Sequence, residues 1–230
     1  MRRLPTVLSD EELAALYATI NEATATGKRD RALLQVMADA GLRISEALAL
    51  RTRDLRVEGG RITAISVVQG KGGKDRTVYP TPQLSDKLLL WLAARAGLEG
   101  ANGTVFCRAK GDHGAAVGAR TVQELVKALA AEAGIEKRVS PHSLRHTAAT
   151  RALRAGNSLR MVQENLGHAR LEATQVYTHV EDSEREAAAQ LLPAVDGKPA
   201  EATDPLEVIM AALAGLPVEK QREIAARLTS

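Results

Sequence analysis

From the amino terminus onward the apolar positions fall at helical spacing. Ser9-Asp10-Glu11-Glu12 has the form of a capping box, and Leu13, Leu16, Tyr17 and Ile20 follow at i, i+3, i+4 and i+7. This predicts a first amphipathic helix running to about residue 27. Leu33, Val36, Met37 and Ala40 mark one side of a second, from about residue 28 to Gly41, where glycine supplies the stop. In GLRISEALAL, Gly41 ends one helix and Ser45 can cap the next, which leaves Arg43 in the tight joint between them. The period then changes. Ile62, Ile65, Val67 and Val68 predict a strand over residues 61–69, with residues 75–79 as its partner across the turn GKGGK and Lys71 at the tip. Helical spacing returns with Leu84, Leu88, Trp91 and Leu92, entered through Thr81-Pro82 and ending near Gly97. A short strand over 105–108 leads into the polar loop AKGDHGAA, and a helix over about 121–133 follows.

Ser140-Pro141 opens the next helix. A serine hydroxyl can accept from the orphan amides of a first turn, and the fixed φ of proline suits the first helical position. Gly156 and Gly167 punctuate two further short helical segments, and residues 182–192 read as one more, closed by Pro193. Residues 194–204 (AVDGKPAEATD) have linker composition, and the rest offers two short helices split at Gly215-Leu216-Pro217. Roughly nine helices against one small antiparallel sheet predict a mainly α fold (α+β). The domain reading is one unit over 1–193, a linker over 194–204 and a helical tail over 205–230.

Composition narrows the setting. The chain has 230 residues, enough for a sizeable core in one domain with a small appendage. No apolar run approaches the roughly 20 residues that span a bilayer, so no membrane partner is expected. The start MRRLPTVLSDEE lacks the apolar core of a signal peptide, and Cys107 is the only cysteine. Both fit a reducing cytoplasm. The net charge is +3, unevenly spread: residues 137–177 hold seven basic and two acidic side chains, whereas residues 196–230 hold four basic and six acidic. A concentrated basic stretch is the footprint of a polyanion partner.

That basic stretch also carries candidate chemistry. It contains three of the five histidines and one of the three tyrosines. His142 and Arg145 stand one turn apart at the amino end of their helix, where unpaired N–H groups favour an anion. Histidine, arginine and the phenol of Tyr177 could converge on one phosphodiester. Its displacement gathers charge on the non-bridging oxygens, which preorganised donors stabilise. Arg43 and Arg145 could bind these oxygens through two N–H groups each, while His142 and His168 add single hydrogen bonds, so no metal is required. A tyrosine hydroxyl becomes an adequate nucleophile once its proton leaves. Ionising it at neutral pH costs about 4 kcal/mol, which nearby cations can offset. A lysine on a hairpin tip is a reasonable acid for the departing 5′-oxygen.

Arg43 in GLRISE, Lys71 in GKGGKDR, His142 and Arg145 in HSLRH, His168 in LGH and Tyr177 in VYTH together resemble the catalytic set of the tyrosine recombinase (phage integrase) family. Each motif alone is weak, but five motifs carrying six residues, in order and at matching spacing, are specific, and the likeness runs from about Leu4 to Leu192. It implies helices around a small antiparallel sheet. It also implies site-specific cleavage and rejoining of double-stranded DNA through a 3′-phosphotyrosine link, without cofactor, by a tetramer on paired sites. By position Arg43 and Arg145 would clamp the phosphate and Lys71 would be the general acid. His142 would be base or proton relay, His168 a phosphate donor and Tyr177 the nucleophile. Glu46, one turn after Arg43, matches an acidic position that supports the site.

In one respect the chain departs from the family pattern. Two-domain members carry a further helical domain before this region, which clamps the other side of the DNA. Here the sequence starts with what resembles the catalytic domain, as in a truncated form or a stand-alone enzyme, and an accessory protein could supply the clamp. Two rival functions share these residues: a catalytically silent DNA-binding regulator, which needs the cations but not the nucleophile, and a type IB topoisomerase-like relaxing enzyme. His142 and His146 could hold a metal, but Arg145 between them would repel a cation and no carboxylate completes the set. Lys74 rivals Lys71 on the same hairpin.

Overall fold

The structure, a computed structural model, describes residues 6–68, 75–96, 98, 103–110 and 114–166. Within them lie seven α-helices, one 3-10 turn and one three-stranded sheet. The helices are α1 (Asp10–Ala18), α2 (Ala25–Ala38), α3 (Ile44–Ala49), α4 (Pro82–Ala96), α5 (Ala119–Glu132), α6 (Pro141–Arg154) and α7 (Leu159–Leu166). The strands are β1 (Leu55–Glu58), β2 (Arg61–Val67) and β3 (Arg76–Val78), antiparallel in the order β1-β2-β3. The mainly helical class with a small antiparallel sheet is therefore as expected.

Helix α2 is the axis of the core. It packs against α4 and α6, and Ala32, Leu33, Leu34, Val36, Met37 and Ala38 are wholly buried on it. Burying a leucine- or methionine-sized side chain contributes about 1.5–3 kcal/mol, so this helix fixes the positions of its neighbours. The sheet lies on α4, where the Ser85 hydroxyl accepts from the Ile62 amide at 2.9 Å. The amino-terminal segment is tied to α6. The Leu8 amide donates to Thr147 Oγ1 at 3.0 Å, and Arg151 bridges Asp10 and Asp39 at 2.8 and 2.6 Å.

Several boundaries differ from the sequence reading. The Ser9–Glu12 capping box forms with both bonds, but α1 stops at Ala18. Helix α2 starts at Ala25 because Thr24 is its cap, its hydroxyl accepting from the Gly27 amide at 3.0 Å. Ser45 is not a cap. It lies inside α3, whose cap is Arg43, and the Glu46 carboxylate reaches back to the Arg43 amide at 2.8 Å. Strand β1 escaped the reading. Its turn is Gly59-Gly60, between the paired residues Glu58 and Arg61, and both glycines have positive φ (56° and 74°). That is the two-residue turn whose twist matches antiparallel strands. Instead of a strand at 105–108 there is a single bridge from Cys107 to Ala116. The Thr81-Pro82 and Ser140-Pro141 helix starts form as expected. Lys71, Lys74, His168, Tyr177, the helix over 182–192, the linker and the tail lie outside the described residues.

Candidate functional site

The site begins at the end of α2. Gly41 has φ 69°, a left-handed conformation that ends the helix and turns its carbonyl toward α6. Arg145 of α6 donates to that carbonyl at 2.7 Å, and through its other terminal nitrogen to the carbonyl of Leu166 in the last turn of α7. Arg43, two residues past Gly41, caps α3 and faces a cleft of about 970 Å³. The cleft is also lined by Ser45, Gln123, Lys127, Lys137, Arg138, His142 and Arg145. His142 is exposed at the second position of α6, and its ring meets that of His146 edge-on at 4.9 Å. The Ser140 hydroxyl accepts from the Ser143 amide at 3.3 Å, which sets the first turn of α6 at the cleft.

Glu46 lies under this rim, with 8 % of its side chain exposed. Its carboxylate accepts from Arg43 Nη1 at 2.6 Å and from both terminal nitrogens of Arg76 at 3.1 and 2.8 Å. Arg145 Nη1 stands 3.6 Å away. One carboxylate thus faces three guanidiniums. Burial pushes the Glu46 carboxyl up, but hydrogen bonds from Arg76 and the Arg43 amide, with their charges, outweigh it and bring its pKa down to about 2. Burial and the neighbouring Arg43 lower Arg145 to about 10, which still leaves it a cation at neutral pH. Three cations and one anion leave an excess of two positive charges in a partly enclosed site, which suits a phosphate.

The structure therefore brings Arg43, His142 and Arg145 of the expected set to one cleft, with Glu46 buried against the two arginines. The residue that sequence reasoning missed is Arg76. It sits on β3 opposite Val67, and by the alternation of a strand it shares a face with buried Val78, opposite Ile65. An arginine on the apolar face of a short strand was the available signal. Its side chain is 7 % exposed, and beyond Glu46 its Nε donates to the carbonyl of Asn165 at 2.7 Å.

The chain has relatives among known proteins. The tyrosine recombinase XerC of Pelobacter propionicus is 40 % identical over 179 residues, which cover 78 % of this chain and 57 % of that protein. The chain thus spans a little over half the length of the curated relatives it matches. The crystal structure of XerA recombinase is 33 % identical, with a TM-score of 0.64, covering 84 % of this chain and 68 % of that one. The XerH site-specific recombinase, solved in a post-cleavage complex with palindromic difH substrate, is 32 % identical with a TM-score of 0.62, covering 81 % and 53 %. Residues 6–184, which include the arginines, histidines and tyrosine named above, match the phage integrase family, and the chain belongs to it.

Proposed function

We propose that this chain is the catalytic unit of a site-specific DNA recombinase, which cleaves and rejoins strands through a 3′-phosphotyrosine at Tyr177. The observation that carries the reading is the cleft in which Arg43, His142 and Arg145 meet above Glu46 with a positive excess. The XerC, XerA and XerH relatives support it.

In this mechanism Arg43 and Arg145 hold the non-bridging oxygens of the scissile phosphate, and His168 adds a hydrogen bond. The Tyr177 oxygen attacks phosphorus while its proton passes to His142 as base or relay. The bond to the 5′-oxygen breaks, and Lys71 protonates that oxygen as it leaves. One phosphodiester replaces another, so the energy of the bond is kept in the tyrosyl link and a 5′-hydroxyl of a new strand reverses the step without a nucleotide cofactor. Charge on the oxygens is balanced by guanidinium groups, so the step needs no metal. We further assign the activity to a tetramer on paired DNA sites in the cytoplasm. Residues 1–193 act as the catalytic domain, and the far side of the DNA is held by a further domain or an accessory protein.

The test is a nicked target whose short 5′ fragment diffuses away, so that religation is blocked and the intermediate accumulates. The target is first selected from DNA fragments that the chain binds. A covalent adduct should survive denaturing electrophoresis, map to the peptide containing Tyr177 and vanish in Tyr177→Phe, which should still bind DNA. The absence of an adduct on a bound site would leave a DNA-binding regulator as the better reading, and an adduct on another residue would take the role of nucleophile from Tyr177.

A further inference from the structure

Arg76 closes the GKGGKDR stretch without being one of the six residues that mark the site, yet it touches two of the site's parts. Its two terminal nitrogens grip both oxygens of Glu46, and its Nε holds the carbonyl of Asn165 in the last turn of α7. Arg145 donates to the next carbonyl, that of Leu166. Two adjacent carbonyls at the carboxyl end of α7 thus each receive an arginine, and cations are favoured at that end of a helix. Both arginines face the same carboxylate.

This geometry decides how the charge of Glu46 is shared. A carboxylate beside three guanidiniums pairs most strongly with the one that meets it through two parallel N–H groups, and that partner is Arg76. The Arg43 side chain reaches one oxygen through Nη1 at 2.6 Å while its backbone amide holds the other, and Arg145 stands at ion-pair distance. Were Arg76 neutral, Glu46 would turn its charge on Arg43 and Arg145. The positive excess would fall from two to one at the rim where the anion is to bind.

We propose that Arg76 is a positioning residue for the phosphate clamp: it occupies Glu46, so that Arg43 and Arg145 keep their charge for a DNA phosphate, and it pins the last turn of α7 beside them. The inference rests on the proposed function for the identity of the anion, but its decisive measurement is binding. A short fluorescent duplex of mixed sequence is titrated across a range of salt concentrations with wild-type protein, Arg76→Gln, Glu46→Gln and the double variant. Arg76→Gln should lower the slope of log affinity against log salt by about one, as expected when the protein neutralises one phosphate fewer. Glu46→Gln in the same chain should restore it, because the misdirected carboxylate is gone. A merely structural role predicts the opposite, with the double variant no better than Arg76→Gln.

Arg76→Lys serves where Arg76→Gln does not fold. It keeps a cation against Glu46 but has one nitrogen where arginine has two, so its slope should lie between those of wild type and glutamine, and Glu46→Gln should remove that deficit as well. A wild-type slope in Arg76→Gln, or no recovery in the double variant, overturns the proposal. On the nicked target, Arg76→Gln should also form the Tyr177 adduct more slowly at saturating protein. An absence of adduct in the wild type would count against the recombinase reading, and the salt slopes would still decide the role of Arg76.

Discussion

Arg145 and Gly41 lie 104 positions apart, and a 2.7 Å hydrogen bond from guanidinium to carbonyl joins them. The same guanidinium holds Leu166, so one side chain ties the ends of α2 and α7 while facing the cleft. Lysine keeps the charge but not the planar fork that can hold two carbonyls and an anion together. Arg145→Lys should therefore slow adduct formation by roughly 10²–10³-fold, the usual cost of one donor to a developing oxyanion. Single-turnover cleavage of the nicked target measures it, and a rate within a few fold of wild type would show that Arg145 binds no reacting oxygen.

Gly41 offers a second handle on the same joint. Its φ of 69° is one that side-chain-bearing residues rarely adopt, and a Cβ there would meet Leu166 Cδ2 at 2.7 Å. Gly41→Ala should cost more than about 1 kcal/mol in urea unfolding, because strain in the backbone adds to displacement of Leu166. Adduct formation should also slow, since the Gly41 carbonyl orients Arg145. Full stability in the alanine variant would contradict both.

The depressed pKa of Glu46 makes a statement about pH. Its folded value of about 2 lies below the usual 4.5, so the stabilisation is present above about pH 4.5 and is lost as pH falls toward 2. The shift corresponds to something on the order of 3 kcal/mol. Chemical denaturation across that window should show wild type losing stability faster than Glu46→Gln, with the two curves converging at the acid end. Parallel curves would mean that the carboxylate is not held as the geometry requires.

Helix α2, the Ser9–Glu12 cap, Thr81-Pro82 and Ser140-Pro141 were legible in the sequence because each is local: a short run of residues carries both the periodicity and the cap. The family set was legible for a different reason, since Arg43, Glu46, His142 and Arg145 sit in short recognisable words. Arg76 was not, because its meaning lies in Glu46, 30 residues away, and in the Asn165 carbonyl, 89 residues away. Neither pairing leaves a trace in local pattern. Strand β1 was missed although Gly59-Gly60 marked its turn, because Leu55 and Val57 alone are too short an apolar alternation to stand out from the 3-10 turn Thr52–Asp54 before it. Ser45 misled because serine is a common cap, whereas the Glu46 carboxylate had already taken the Arg43 amide.

Residues 205–230 carry Leu206, Ile209, Met210, Leu213, Ile224 and Leu228 at helical spacings, in a segment whose acidic residues outnumber its basic ones from Asp196 onward. Such a segment suits docking on a basic body or on a neighbouring subunit. Deleting residues 196–230 should leave thermal unfolding of the remainder cooperative but change oligomeric mass or DNA affinity. Identical light-scattering mass and identical DNA titrations with and without the segment would remove any such role.

Lys71 and Lys74 flank the same two glycines, and chemistry can tell them apart where spacing does not. A general acid matters only if the leaving group needs its proton. The 5′-oxygen does, because an alkoxide is a poor leaving group at neutral pH. A 5′-sulfur in the bridging position does not, because a thiolate is stable there. Lys71→Ala should therefore cleave ordinary nicked DNA slowly and recover on the sulfur-bridged substrate, while Lys74→Ala should be affected little and equally on both. Arg145→Lys supplies the control: it should remain slow with sulfur, since its loss falls on the non-bridging oxygens, which the substitution leaves unchanged. Recovery by Lys74→Ala instead would move the acid to that residue. If neither lysine variant is slow on ordinary DNA and rescued by sulfur, the proton comes from elsewhere in the site.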